Sequence, residues 1–172
     1  MAKILVAYYS RKGQNYVNGS IKNLAKGNTE IVAEMIAKAT GGELFEIDTV
    51  QAYPEDYTKC TEVAKQELRD KARPALKKAP DSIDAYDAVF LGYPCWWGTM
   101  PMGVYTFLEK FDWTGKKIFP LCTHEGSGMG GSVKEIKKTC PGALVVDGLA
   151  IHGADAAKSE AQVAAWCKKM IG

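Results

Sequence analysis

Long apolar runs and clustered charges are both missing from this sequence. A bilayer-spanning helix needs about 20 consecutive apolar residues, and no stretch approaches that length. No run of five like charges occurs, and the net charge at pH 7 is only +2, so we expect no nucleic-acid or membrane partner. The apolar stretch Ile4–Ala7 is too short for the core of a signal peptide, which predicts a cytoplasmic protein.

Metal-binding and disulfide patterns are missing as well. The five cysteines are odd in number, widely spaced and without a Cys-x-x-Cys pair, and only two histidines accompany them. Disulfide frameworks and zinc sites depend on paired or closely spaced ligands. We therefore expect reduced thiols and no metal site.

Short apolar runs alternate with helix-favouring segments along the whole chain. The predicted strands are 3–9, 43–47, 87–93, 117–122 and 144–149. The predicted helices lie within 28–41, 57–71, 104–108, 133–139 and 156–171. Nearly continuous apolar strands are typical of parallel sheets that are buried on both faces, and each helix returns the chain to the same edge. The pattern predicts one α/β domain over 1–172, an open parallel sheet with helices on both faces.

Ligands of such sheets bind outside the carboxyl ends of the strands, so the loops after strands one, three and four are the informative ones. The first loop combines a hydroxyl, two amides, two cations and a glycine: Ser10, Arg11, Lys12, Gly13, Gln14 and Asn15. A loop of this kind can aim N–H groups and a hydroxyl at a phosphate, although a serine-glycine turn is often only a turn. It lacks the GxxxxGK[ST] pattern, which disfavours a nucleoside triphosphatase.

The loop after strand three holds two of the four tryptophans in a position that normally faces water. Its residues are Pro94, Cys95, Trp96, Trp97 and Gly98. The tryptophans either pack onto a helix or offer a flat surface to a planar ligand, and the carboxyl edge favours the ligand. Cys95 has no adjacent cation, so packing is the favoured role for its thiol.

The loop after strand four is rich in glycine, which leaves backbone amides open to close approach. Its first residues are Thr123, His124, Glu125, Gly126, Ser127 and Gly128. Gly126, Gly128 and Gly131 match GxGxxG, but a dinucleotide fingerprint follows the first strand of its unit, and here only one strand remains. The match therefore does not indicate a dinucleotide site.

With these loops, the chain resembles the flavodoxins over essentially its whole length. The phosphate-loop pattern T/S-x-T-G-x-T of that family corresponds to 10–15, where Ser10 and Gly13 match while Lys12 and Asn15 replace hydroxyls. The stretch 16–27 is inserted before the first helix, as in a bacterial and archaeal subfamily. The Tyr-Pro-x-Trp-Trp-Gly-x-x-Pro string at 93–101 is the most specific feature.

The resemblance implies a flavodoxin-like, doubly wound, five-stranded parallel sheet in the order 2-1-3-4-5, with FMN as the cofactor. It assigns the 5′-phosphate to 10–15 and Thr29, and the isoalloxazine ring to 94–98 and 123–128. The implied function is low-potential electron transfer between redox partner proteins, with no catalytic side chain because the flavin supplies the chemistry. His124 would tune the flavin through its charge near neutral pH.

Two other functions stay open at this point. An NAD(P)H-dependent reductase of quinones, nitro compounds or flavins would use the same FMN but need space beside the ring for a second substrate. A module that binds flavin or another phosphorylated ligand without turnover, as a sensor or store, is the other. The chain also departs from the strongly acidic flavodoxins with a pI near 8.2, so charge steering onto a basic partner is not expected.

Overall fold

A parallel sheet with helices on both faces forms the centre of the computed structural model, which describes residues 2–172. The strands, in chain order, are β1 (Ile4–Tyr8), β2 (Gly13–Val17), β3 (Ser20–Leu24), β4 (Glu43–Glu46), β5 (Ala88–Pro94), β6 (Lys117–His124), β7 (Leu144–Val145) and β8 (Leu149–His152). The helices are α1 (Asn28–Thr40), α2 (Tyr57–Asp70), α3 (Met102–Leu108), α4 (Ser132–Thr139) and α5 (Glu160–Ile171), with a 3₁₀ turn at Gly153–Lys158. No helix within residues 2–172 is both long and apolar enough to cross a bilayer.

The strand order confirms the predicted doubly wound topology. The sheet runs β4-β1-β5-β6, and β7 and β8 share the position beyond β6. All of these pairings are parallel, which is the predicted order 2-1-3-4-5. Ligand sites in such a sheet lie where the strand order reverses, beside the ends of β1 and β5.

The predicted fifth strand at 144–149 is wrong in its bounds. Two short strands replace it: β7 pairs with the start of β6, and β8 pairs with the end of β6 up to His124 and His152. Gly148 lies between them with a φ of +88°, and a Cβ there would come within 2.7 Å of the Pro120 carbonyl oxygen. A residue with a side chain would strain this close passage, and the strand is interrupted there.

Two apolar layers, one on each face of the sheet, form the core. Alternate residues of a strand face opposite sides, so Leu5 packs with α3 and α4 while Val6 packs with α1 and α5. Trp113 is buried in the first layer, and its Nε1 donates to the Leu108 carbonyl at 2.7 Å. Trp166 packs edge-on against Phe90 in the second layer, with ring centroids 5.3 Å apart.

An antiparallel hairpin occupies most of the segment inserted before α1. Strands β2 and β3 pair with each other and are joined at Asn18 and Gly19, with φ values of +50° and +87°. Both values suit the type I′ turn that an Asn-Gly pair favours. Gly13 to Asn15, predicted as part of a phosphate loop, are instead the first residues of this hairpin.

A buried hydrogen bond holds the start of α1 against the end of β6. The hydroxyls of Thr29 and Thr123 lie 2.7 Å apart, and both residues are buried. Close approach of the helix also depends on Gly92 in β5, where a Cβ would lie 3.2 Å from the Thr29 methyl group. The bond therefore fixes the helix start to the carboxyl edge of the sheet.

Replacing either threonine of this pair with valine should destabilise the chain by about 1–3 kcal/mol, because the remaining hydroxyl is buried without its partner. The double variant Thr29→Val/Thr123→Val should cost less than the sum of the two, as measured by urea unfolding. Thr58→Val, at an exposed position of α2, serves as the control and should change stability by less than about 0.5 kcal/mol. Strict additivity would show that the two hydroxyls do not interact.

Candidate functional site

The three predicted loops meet at the carboxyl edge of the sheet around a cleft of about 370 Å³. Predicted residues on its wall are Arg11, Asn15, Thr29, Pro94, Cys95, Trp96, Trp97, Gly98, Thr123, His124, Glu125 and Ser127. Predicted residues that do not line it are Ser10, Lys12, Gly13, Gln14, Gly126 and Gly128. The lining residues that the sequence did not indicate are Tyr16, Asn28, Tyr57, Cys60, Thr61, Ala64 and Gly153.

The start of α1 closes one end of the cleft. The Ser10 hydroxyl accepts a hydrogen bond from the backbone N–H of Glu30 at 3.0 Å, which caps the helix from the neighbouring loop. Gly27 precedes the helix, and a Cβ on it would lie 2.1 Å from the Ser10 Oγ and 2.6 Å from the Arg11 carbonyl oxygen. The backbone N–H groups of Asn28 and Thr29 lie in the first turn, where the helix offers them no partner. This end of the cleft therefore suits an anion.

The chain thus leaves the anion-binding end after Arg11, forms the hairpin, and returns to it at Gly27. The predicted contiguous loop 10–15 is interrupted, and 27–29 take the place of its second half. Lys12 is exposed, and the Gln14 Oε1 accepts from the Tyr57 N–H at 2.8 Å, at the start of α2. The sequence places Gly27 at the end of the predicted insertion and 28–29 at the predicted helix start, but it gives no signal that they return to Ser10.

Arg11 stabilises this arrangement with its guanidinium. It donates to the carbonyl oxygens of Gln14 at 2.9 Å, Pro54 at 3.0 Å and Glu55 at 2.9 Å. The Asn15 side chain donates back to the Arg11 carbonyl at 2.8 Å. Both side chains line the cleft, yet these hydrogen bonds hold the hairpin and the segment before α2 together.

Aromatic side chains form the opposite end of the cleft. Trp97 is 50% exposed, and its Nε1 donates to the Thr61 carbonyl at 2.9 Å while the Lys65 ammonium lies 5.2 Å from its ring centroid. Its φ of +54° is unusual for a bulky residue, so surrounding contacts must hold it there. Tyr16 of the hairpin stacks on Tyr57 at 6.1 Å between centroids. These side chains leave flat apolar surfaces at the mouth.

The two tryptophans have different surroundings. Of the two roles predicted for the pair, inward packing describes Trp96, and an exposed flat surface at the cleft describes Trp97. Trp96 packs inward against Tyr9 and Tyr53, with ring centroids 5.3 Å and 5.1 Å away. Trp97 presents its face outward at the cleft. The loop that carries them closes through Gly130, where a Cβ would lie 2.3 Å from the Gly98 carbonyl oxygen. Only glycine permits the second and third loops to approach this closely.

Cys95 lies on the cleft wall beside a second thiol. Its N–H donates to the Thr123 carbonyl at 2.9 Å, which continues the ladder between β5 and β6. A hydrogen bond with Cys122, together with the Gly98 N–H and Ser127, lowers the pKa of Cys95 despite its partial burial. The same hydrogen bond and burial raise the pKa of Cys122. Within residues 2–172, no group of three His, Cys, Asp or Glu side chains could hold a metal ion.

His124 lies opposite His152 in the register of β6 and β8. Their rings meet edge to face at 5.7 Å, and the His152 Nε2 lies 3.4 Å from the Glu125 carboxylate. That carboxylate also accepts from the Asn18 N–H at 3.2 Å, which joins the hairpin turn to the third loop. His152 was not predicted at the site because β8 was not recognised.

The electrostatics of His124 favour its neutral form. Burial and the neighbouring His152 lower its pKa, and Glu125 opposes them. The Nδ1 of His124 accepts from the Gly126 N–H at 2.9 Å, a bond that protonation of Nδ1 would break. The charge by which His124 was expected to tune a cofactor therefore develops at lower pH than in an ordinary histidine.

Comparisons with known proteins agree with this geometry. A family model described as flavodoxin matches residues 3–170. The chain is 32% identical to a candidate flavoprotein from Bacteroides eggerthii, with a TM-score of 0.79 over 100% of this chain and 99% of that one. It is 30% identical to a similar candidate from Bacteroides uniformis, with a TM-score of 0.78 over 97% and 98% of the two chains.

A more distant similarity concerns a protein whose structure contains a ligand. A flavoprotein from Lactobacillus acidophilus in complex with FMN is 20% identical, with a TM-score of 0.68 over 92% of this chain and 98% of that one. At this identity the similarity shows the shared fold. No curated protein matches the chain.

The contact between Gly27 and Ser10 should make Gly27→Ala destabilising by about 1–3 kcal/mol, because the added methyl group forces backbone apart. Urea unfolding of the purified chain measures this cost. Gly131→Ala is the matched control, since its φ of −92° is ordinary and a Cβ there would lie 3.8 Å from the Gly98 carbonyl oxygen. Equal stability of the two variants would contradict the close packing at Gly27.

The lowered pKa of His124 predicts a contribution to acid lability. The unfolded chain binds a proton more readily at this position, so stability falls as pH drops below the ordinary histidine pKa of about 6.5. His124→Asn, whose side-chain oxygen can replace Nδ1, should lose less stability than the wild type over this range. Unfolding midpoints measured at several pH values test this, and parallel curves for both proteins would contradict it.

Proposed function

The chain belongs to the flavodoxin family, and on that premise we propose that it binds one FMN in the cleft and passes electrons between redox partner proteins. The observation that supports this most is the pairing of an anion-binding helix start with an aromatic wall in one cleft. A volume of about 370 Å³ lies near the lower end of the usual range for small-ligand sites, about 300–1,000 Å³. One mononucleotide is a suitable occupant.

The phosphate would bind at the start of α1. The N–H groups of Asn28 and Thr29 point out of the first turn, and the helix dipole favours negative charge there. The Ser10 hydroxyl does not line the cleft itself, but it accepts from the Glu30 N–H at the helix start and keeps its own proton, which it would donate to a phosphate oxygen bound there. Arg11 uses three of its five N–H groups on backbone carbonyls, so the phosphate would be held by the helix-start donors with the positive charge of Arg11 on the same cleft wall, without a metal.

The ring would bind among 94–98, 123–128 and the aromatic residues at the mouth. Trp97 offers its face, and the anchors at Thr61 and Lys65 keep that face in position before any ligand arrives. Tyr57 and Tyr16 extend the apolar surface from the other side. FMN supplies the redox chemistry when bound, and these residues orient the ring and exclude water from it.

The size of the cleft favours an electron carrier over a reductase of small molecules. An FMN that fills most of this volume leaves little enclosed space for a second substrate beside the ring. Electron transfer to a protein needs only an exposed edge of the cofactor at the mouth. The mouth is open here, where Trp97 and Tyr16 are 50% and 42% exposed.

The purified chain should bind added FMN and give the long-wavelength absorption of a one-electron-reduced flavin during stepwise anaerobic reduction with dithionite. It should oxidise NADH or NADPH almost not at all in the steady state. A colourless chain that fails to bind FMN would overturn the proposal. Rapid oxidation of NAD(P)H would favour the reductase instead.

Trp97→Ala should weaken FMN binding by about 2- to 10-fold, since aromatic stacking contributes about 0.5–1.5 kcal/mol. Trp97→Phe is the matched control, because it keeps an aromatic face and should retain most of the affinity. Fluorescence titration with FMN measures both dissociation constants. Equal loss in the two variants would show that Trp97 acts through its Thr61 hydrogen bond and not through its face.

A further inference from the structure

A set of three aromatic rings connects the cleft to a second groove. Trp96 lines the cleft and meets Tyr53 edge to face at 5.1 Å between centroids and 90° between planes. Tyr9 contacts Trp96 at 5.3 Å and Tyr53 at 6.4 Å. Tyr53 lines a separate groove of about 630 Å³ between the segments around 50–54 and 72–75. The rings therefore form a continuous aromatic path from the cleft to this second groove.

The path ends at a carboxylate. The Tyr53 hydroxyl donates to the Glu67 Oε1 at 2.5 Å. Burial raises the pKa of Glu67 and outweighs the hydrogen bond from Tyr53, which acts in the opposite direction, so the carboxylate holds a proton more strongly than an exposed one does. Burial and the same hydrogen bond raise the pKa of Tyr53, which keeps the phenol protonated in its resting state.

Tyr9 differs from Tyr53 in this respect. Tyr9 is almost fully buried, and within residues 2–172 no hydrogen bond from its hydroxyl to a carboxylate is present. A phenol that loses an electron becomes a strong acid, so it is oxidised easily only where a base can take its proton. Of the two tyrosines that touch Trp96, Tyr53 alone has such a base in contact.

We propose that Trp96 and Tyr53 form a light-driven electron relay to the flavin, in which Glu67 accepts the proton of the Tyr53 hydroxyl. This inference rests on the proposed binding of FMN. The Trp96 indole would give one electron to bound oxidised flavin that has absorbed light. Tyr53 then gives one electron to the oxidised indole, and its hydroxyl proton moves along the existing hydrogen bond to the Glu67 carboxylate.

The products of these two steps balance. The flavin has gained one electron, Trp96 is restored, Tyr53 has become a neutral radical and Glu67 a neutral carboxylic acid. Tyr53 and Glu67 are then both uncharged. Return of the electron to Tyr53 therefore requires that the proton return from Glu67 as well. The separated state should therefore outlive one in which Trp96 alone is oxidised.

Flash excitation of the FMN-loaded chain, followed by transient absorption, tests the relay. The wild type should show a tyrosyl radical together with one-electron-reduced flavin. Tyr53→Phe should lose the tyrosyl signal and return the electron faster from Trp96. Glu67→Gln, which keeps the shape but removes the base, should lose the tyrosyl signal too, and so should Trp96→Phe, because the electron of Tyr53 then has no oxidised indole to reach.

The pair Tyr86 and Glu43 provides a matched control. The Tyr86 hydroxyl donates to the Glu43 carboxylate at 2.5 Å, but this pair lies at the opposite end of the sheet from the cleft. Tyr86→Phe and Glu43→Gln should leave the tyrosyl yield and its lifetime unchanged. An unchanged tyrosyl signal in Tyr53→Phe or Glu67→Gln would overturn the relay.

A second measurement separates failure of the relay from failure of FMN binding. In the flavin-free chain, a ruthenium polypyridyl photo-oxidant with a sacrificial electron acceptor oxidises tryptophan without FMN, and electron paramagnetic resonance then detects any tyrosyl radical. A tyrosyl radical that disappears in both Tyr53→Phe and Trp96→Phe supports the step from Tyr53 to Trp96, whereas a radical that persists in Trp96→Phe shows direct oxidation of Tyr53. Bound FMN without a tyrosyl radical overturns the relay alone, whereas absence of FMN binding overturns the relay together with the proposed function.

Discussion

The close contact of Gly27 with the Ser10 hydroxyl and the Arg11 carbonyl group is the constraint on which the cleft depends. It brings the start of α1 beside the end of β1, and the Ser10 hydroxyl then satisfies one of the helix N–H groups. The Thr29–Thr123 hydrogen bond joins the same helix start to β6. Two strands and one helix thus meet at one point, and the anion-binding end of the cleft lies beside it.

The aromatic end depends on a different set of contacts. Trp97 adopts an uncommon backbone conformation, which Thr61 and Lys65 of α2 hold from the side. Gly98 and Gly130 bring the second and third loops into backbone contact. Because rigid elements hold both ends separately, the cleft can be ready for a ligand before it binds, which reduces the entropy lost on binding.

The sequence predicted the sheet well because its strands are short apolar runs separated by clear helical periodicity. It also predicted most of the cleft wall, since the carboxyl edge of a parallel sheet gathers the loops after strands one, three and four. The cleft residues and the strand that the sequence analysis missed are placed by contacts between segments that are distant in the chain. Tyr57 and Thr61 belong to a helix that periodicity locates but does not place beside the cleft, and β8 was hidden by the interruption at Gly148. The hairpin carried a signal, Asn18-Gly19, that the flavodoxin pattern at 10–15 obscured.

The hairpin leaves the domain at Arg11 and rejoins it at Gly27, and these two residues touch. Its stem is therefore closed, so an insertion or deletion at the Asn18-Gly19 turn changes the rim of the cleft and the Asn18–Glu125 contact there, and leaves the stem in place. Descendants of such a chain can lengthen, shorten or redecorate that rim while the helix start behind it stays where it is. The hairpin is in this sense an exchangeable module, through which the rim of the cleft can diverge while the anion-binding helix start is kept.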